Sequence, residues 1–284
     1  MILSISSNSY LAKKYAKFSN EKIIHTHHKN KKNKNSVYFK LGISKIEKIL
    51  KKNIDYCIIF ISIKNSENND KKIFDKFTSD IKELIKKLIK YKIPFIFFST
   101  ESVYENQNKD FFKENYKIKP SSLYAVHKFK IEKFILKNAK YFTILRLGRA
   151  YDDVRNKNNF LSKIIYQIIK NKKKKLSFAH DFYFSPINII DLNAIIQIII
   201  KKKIYGVFNL SGDQKVSYFE IAKKINKLLK TQDKVILKKE SIKNFSKYTS
   251  IGSIAMDNSK IKKKINYKFL RIEKIIRQFF FKRN

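Results

Sequence analysis

Residues 79–100 read SDIKELIKKLIKYKIPFIFFST, and the two patterns they join decide the fold. Ile81, Leu84, Ile85, Leu88 and Ile89 recur at three- and four-residue intervals, with lysines on the opposite side. That spacing predicts an amphipathic helix. Pro94–Ser99 follows at once and is apolar throughout rather than alternating, as a strand buried on both faces of a parallel sheet is. The same alternation extends in both directions. Ile2–Ile5, Lys22–Thr26, Tyr56–Ser62 and Phe142–Leu147 read as further core strands with helical patterns between them. Strands alternating with helices predict an α/β fold, a doubly wound parallel sheet of the Rossmann kind. Ligands on such sheets bind beyond the carboxyl ends of the strands, where the strand order reverses.

The second half is less regular. A helix follows Asn159, Lys172–Lys175 reads as a solvated turn, INIIDLNAIIQIII as a buried helix and GVFNLS (206–211) as a strand. Ser217 and Glu220 have the spacing of a capping box, with Val216 before them as a staple. FLRIEKIIRQFF reads as a closing amphipathic helix. The expected division is an α/β domain over 1–158 and a smaller α+β lobe over 159–284, with the part around 185–211 packing back on the sheet.

The formal charge is +41 over 284 residues, which would ordinarily point to nucleic acid. Only six of the 64 Lys+Arg are arginine, while Asn, Ile, Phe and Tyr abound and glycine is scarce. This composition matches the bias of an AT-rich genome, and the charge is spread along the whole chain. No nucleic-acid partner is expected. Cys57 lies in the apolar run YCIIFIS and reads as an inert core thiol. His25, His27 and His28 lack a trusted ligand spacing and read as polar loop, so no metal is expected. The longest apolar runs fall far short of a membrane span, and a soluble, cytoplasmic protein is expected.

YAVHK (124–128) places a tyrosine and a lysine one helical turn apart. Composition alone yields about three such pairs, and there are three: Tyr10/Lys14, Tyr124/Lys128 and Tyr166/Lys170. Only the middle pair follows a core strand with a polar tip, Ser99-Thr100-Glu101-Ser102, across a loop of about twenty residues.

FIFFSTESVYE (95–105), PSSLYAVHKFKIEKFI (120–135) and ILRLGRAY (144–151) together resemble the extended short-chain dehydrogenase/reductases that act on nucleotide-linked sugars. DFYFSPINIIDLNAI (181–195), NNFLSKII (158–165) and MDNSKIKKKIN (256–266) make the chain most similar to the dTDP-4-dehydrorhamnose reductase branch. The resemblance runs end to end. It implies a dinucleotide-binding domain over 1–158, with Tyr124 as general acid, Lys128 beside it favouring the phenolate and holding the nicotinamide ribose, and Thr100 fixing the substrate oxygen. Glu101 and Arg149 fall at sugar-facing positions; the branch usually carries an aromatic residue where Arg149 stands. Arg146 is a recurrent arginine of the family, and a structural salt bridge is its other reading.

The family's first turn has the form G-x-x-G-x-x-G. Here Ser6, Ser9 and Ala12 take the glycine places, with Tyr10 and Leu11 opening the helix and Ser62 at the tip of a later strand, all expected at the cofactor. A serine in a left-handed backbone conformation costs roughly 1–2 kcal/mol, yet the helix N-terminus still suits phosphate. HTHHKNKK carries cations where NAD-preferring members carry an acid, so the expected cofactor is NADP or NAD, with NADPH preferred. The implied function is NAD(P)-dependent reduction of a 4-keto nucleotide sugar for a surface polysaccharide. An epimerase, a dehydratase and a non-catalytic nucleotide-binding homologue are the alternatives. The resemblance also implies that helices around Tyr124 could pair in a homodimer.

Overall fold

The computed structural model describes residues 1–6, 9–28, 36–63, 70–104, 110–152, 159–170, 175–230, 235–245 and 252–281. Its main sheet has seven strands. In chain order the first six are β1 (Ile2–Ile5), β2 (Ile23–His27), β3 (Ser36–Tyr38), β4 (Tyr56–Ile59), β5 (Phe95–Thr100) and β6 (Phe142–Leu147). The seventh is the strand Gly206–Leu210, at the edge beside β6. Across the sheet the order is Gly206–Leu210, β6, β5, β4, β1, β2, β3. Strand β1 pairs in parallel with both β2 and β4, β2 with β3, and β4 with β5. The order reverses between β1 and β4, the place where a doubly wound sheet leaves a crevice.

Strands β1, β4 and β5 are buried at every residue, as their unbroken apolar runs demand. Helix α1 (Tyr10–Phe18) follows β1, and α2 (Glu47–Leu50) precedes β4. Helix α3 (Lys71–Lys90) buries Ile81, Leu84, Ile85 and Leu88 as its stripe predicts; Ile89 is only partly covered. It begins well before Ser79 because Asp70 caps it, accepting from the Lys72 N–H at 2.8 Å. Helix α4 (Leu123–Asn138) is capped by Ser122, which accepts from the Ala125 N–H at 3.3 Å. Of the stretch around 185–211 expected to pack back on the sheet, the strand Gly206–Leu210 is the part that joins it.

By compactness the chain forms two units. The first comprises Met1–Val103, Pro120–Arg146 and Asn193–Phe208; the second comprises Tyr104–Lys119, Leu147–Leu192 and Asn209–Asn284. Within the second, the helix Tyr218–Leu228 starts with the expected capping box of Ser217 and Glu220. Asn209 there gathers three segments: it accepts from the Tyr104 hydroxyl at 2.9 Å and donates to the carbonyls of Phe112 (2.7 Å) and Asp257 (3.1 Å). Gly148 and Gly212 mark places where backbone crosses backbone. A Cβ on Gly148 would lie 2.6 Å from the Ser185 carbonyl, and one on Gly212 2.3 Å from that of Pro186.

Two local expectations are corrected. His25 and His27 belong to β2 rather than to a loop, because that stretch pairs with β1 on one side and with β3 on the other. Lys175 opens the strand Lys175–Ala179, which pairs in parallel with Ile236–Glu240; residues 172–174 lie outside the described set.

Candidate functional site

The catalytic candidates of the first unit cluster at the carboxyl ends of β4 and β5. Thr100 is the last residue of β5 and is buried; its Oγ1 accepts from the Ser102 N–H at 3.2 Å. Glu101, also buried, opens the 3-10 turn Glu101–Tyr104. Tyr124 stands in the first turn of α4, half-exposed, and its hydroxyl lies 3.4 Å from Ser62 Oγ, just past β4. The Tyr124 hydroxyl is therefore paired with Ser62, not with Thr100.

Lys128 lies one turn below Tyr124 on the same face, as the four-residue spacing requires. Only 4% of it is exposed. Its ammonium donates to the Phe98 carbonyl at 2.8 Å and sits 4.8 Å from the Phe97 ring centroid and 5.8 Å from that of Tyr124. Burial pulls its pKa below the ordinary lysine value, while Tyr124 and Glu132 act to raise it. Glu132, a further turn down, was not singled out by the sequence. It is fully buried, and Arg146 of β6 grips it at 2.8, 3.2 and 3.3 Å. The salt-bridge reading of Arg146 is the one the structure contains.

The first turn is more compromised. Ser6 takes φ 67, in the left-handed region. Its N–H donates to Thr26 Oγ1 at 2.9 Å, and that hydroxyl donates on to the Ser4 carbonyl at 3.3 Å. Ser9 is the N-cap of α1, accepting from the Ala12 N–H at 3.2 Å. Ala12 is buried at the third glycine place, while Tyr10 and Leu11 form the helix's first turn. Residues 7 and 8 are outside the described set.

Beyond the ends of β1, β2 and β4 lies a cavity of about 550 Å³, with Ser6, Thr26 and Ser62 on its wall. Lys40, Lys72, Lys76 and His28 also line it, with one carboxylate, Asp80. Asp80 is itself ion-paired to Lys76 at 3.2 Å and rests over Gly42, whose φ of +74 suits glycine. These lysines were invisible among the 58 of the sequence. Most of the cationic stretch expected here, residues 29–35, lies outside the described set. The cavity opens at the sheet's switch point and offers backbone turns, hydroxyls and cations, a donor set that fits a pyrophosphate-linked dinucleotide.

Arg149 belongs to the second unit. It donates to the Tyr218 hydroxyl, and its guanidinium stands 4.9 Å from the Phe184 ring centroid, 5.6 Å from Tyr218 and 5.8 Å from Phe182. Two of these rings come from the strand Phe182–Phe184 and the third from the first residue of the helix Tyr218–Leu228.

Among known proteins, the family model described as "RmlD substrate binding domain" matches residues 45–280. Among solved structures, the chain is similar to a dTDP-4-dehydrorhamnose reductase from Bacillus anthracis in complex with NADP, at 18% identity and TM-score 0.78, covering 98% of each chain. It is equally similar to a UDP-N-acetylglucosamine 4-epimerase from Bacillus cereus, at 16% identity and TM-score 0.79, again covering 98% of each. A dTDP-glucose 4,6-dehydratase from Bacillus anthracis in complex with NAD follows at 16% and 0.73, covering 98% of this chain and 94% of that one. No curated protein matches the chain. At these identities the likeness establishes the fold, and three different chemistries share it.

Proposed function

Since the chain belongs to the RmlD substrate binding domain family of extended short-chain dehydrogenase/reductases, we propose that it is an NAD(P)-dependent reductase of a 4-keto nucleotide sugar. The observation that carries this reading is the Tyr124 hydroxyl, 3.4 Å from Ser62, which lines the switch-point cavity, with the buried Lys128 ammonium one turn beneath it. NAD(P)H, when bound, supplies a hydride. Ser6, Ser9, Tyr10, Leu11 and Ser62 would hold it. Tyr124 gives the proton that turns the sugar's carbonyl oxygen into a hydroxyl, and water returns that proton to the phenolate. The Lys128 ammonium beneath Tyr124 supplies positive charge on the side where the transfer leaves a phenolate. Thr100 steadies the substrate oxygen, which takes the hydrogen bond Tyr124 otherwise shares with Ser62. Glu101 is assigned to the sugar, and the same assignment for Arg149 rests on the resemblance alone.

NADPH is the preferred form, because Lys40, Lys72 and Lys76 line the cavity against a single, already paired carboxylate. A 2′-phosphate would gain from that field. The second reading, an epimerase or dehydratase, returns its hydride and consumes no cofactor. The test is therefore stoichiometric. Purified protein mixed with NADPH and a panel of 4-keto nucleotide sugars should lose one equivalent of 340 nm absorbance per sugar reduced. Conversion of the sugar with no absorbance loss would replace the reductase by the second reading. Failure to bind NADPH at millimolar concentration would leave a non-catalytic homologue.

A further inference from the structure

Lys128 is an ammonium taken almost wholly out of water, with 4% of its surface left. An isolated buried cation loses several kcal/mol of hydration and tends to shed its proton instead. What faces it can be named element by element. Helix α4 offers Tyr124 above and Glu132 below, and β5 offers the Phe98 carbonyl and the Phe97 ring. From β6, Arg146 reaches Glu132 on the same side of α4. Helix α3 meets the opposite side of α4, where Thr78 bonds His127 at 2.6 Å and Asp75 stands 3.6 Å from the same ring. Glu132 is thus the one negative charge that faces the ammonium among these groups.

Glu132 is also fully buried. Its anchorage comes from the guanidinium of Arg146, a planar fork that remains charged at any relevant pH. Tyr124, Lys128 and Glu132 follow at intervals of four, so phenol, ammonium and carboxylate run down one stripe of α4. The arrangement is a buried column of alternating charge, Lys128–Glu132–Arg146, ending on a strand of the main sheet.

We propose that Glu132, anchored by Arg146, is a positioning residue for Lys128: its buried negative charge, one turn along the same stripe of α4, keeps the ammonium a cation beneath Tyr124. The claim rests on the catalytic reading given above for its consequence, but not for its physics. Without Glu132 the ammonium would face a hydroxyl, a carbonyl and a ring, and Arg146 would add repulsion. Lys128 would then lose its proton at lower pH, and Tyr124 would lose its cation with it.

The test reads Lys128 directly. Protein with 13Cε-labelled lysine is titrated by NMR, and the Lys128 signal is identified by its absence in Lys128→Arg. In Glu132→Gln the Lys128 midpoint is expected about one pH unit or more below wild type, the scale of a lost neighbouring charge. The alkaline limb of NADPH-dependent turnover should move down by the same amount. Glu132→Asp, which keeps the charge, should restore most of the wild-type midpoint. An unchanged midpoint in folded Glu132→Gln overturns the proposal. Where the lone Arg146 cation prevents folding, the double variant Glu132→Gln/Arg146→Met removes both charges; a lowered midpoint there supports the proposal and an unchanged one overturns it. Wild-type protein that fails to bind NADPH would remove the functional reading instead, and the titration would still decide the role of Glu132.

Discussion

The start of α4 and the start of α1 are both helix openings at carboxyl ends of the same sheet, yet they are built on different principles. At α4 the functional groups are side chains, fixed by helical phase and by buried partners: Lys128 on the Phe98 carbonyl, and Glu132 on Arg146. At α1 the geometry is backbone geometry. Ser6 holds a left-handed φ of 67 where glycine is at ease, and Thr26 occupies its N–H. Side-chain machinery survives a biased composition if its few residues survive. Backbone machinery can survive the loss of its usual residues, if a neighbour such as Thr26 holds the turn.

The largest expected effect breaks the first half of that contrast. Tyr124→Phe removes the proton donor and should lower turnover by about 10²- to 10⁴-fold, with NADPH affinity nearly intact by fluorescence titration. Retained turnover would dismiss Tyr124 from the chemistry. The next effects separate the two serines of the first turn. Ser9→Ala deletes the N-cap of α1 and should cost about 1 kcal/mol in a urea melt. Ser6→Gly relieves the left-handed strain and should stabilise by about 1 kcal/mol, and it should tighten NADPH binding. Weaker binding in Ser6→Gly would mean the hydroxyl is an adapted contact rather than a compromise.

The smallest effect concerns the far side of α4. His127 is 2% exposed, bonded to Thr78 at 2.6 Å and stacked on Phe74. Burial chiefly, with help from Lys130, lowers its pKa below the ordinary 6.5, against an opposing pull from Asp75. The unfolded chain therefore binds the proton first. Stability from this group is complete above pH 6.5 and declines as pH falls through 6.5 toward the lower folded value. His127→Gln should flatten the melting-temperature profile over pH 5–7 by the equivalent of about 1 kcal/mol or less. A profile as steep as wild type would place the acid sensitivity elsewhere.

Much of the fold was legible because buried parallel strands leave unbroken apolar runs. Ile2–Ile5 and Phe142–Leu147 were bounded to the residue. The helix at Tyr218 was announced by its capping box, Ser217 and Glu220. The short strands of the second unit were not legible. Phe182–Phe184 and Gly252–Ser253 contain three and two residues, too few for a period to show, and Lys175–Ala179 opens within a lysine run. For the site, the Tyr124/Lys128 pair could be told from two chance pairs by the polar strand tip before it. Lys72 and Lys76 could not be told from other lysines, since only folding sets them beside Thr26 and Ser62. Glu132 could have been found, because it continues the stripe of Tyr124 and Lys128.

The two backbone crossings described earlier bear on which positions of this chain admit a side chain. Only five glycines remain in it, and Gly148 and Gly212 each face a peptide carbonyl at a distance no side-chain carbon tolerates. A substitution meets a hard wall at such points and a softer slope at the turn after β1, where Ser6 already stands at a left-handed φ and the toll is torsional. Gly206 and Gly252, at φ +124 and +128 with no clash to meet, are held by torsion instead, so the chain's few glycines divide between two kinds of demand.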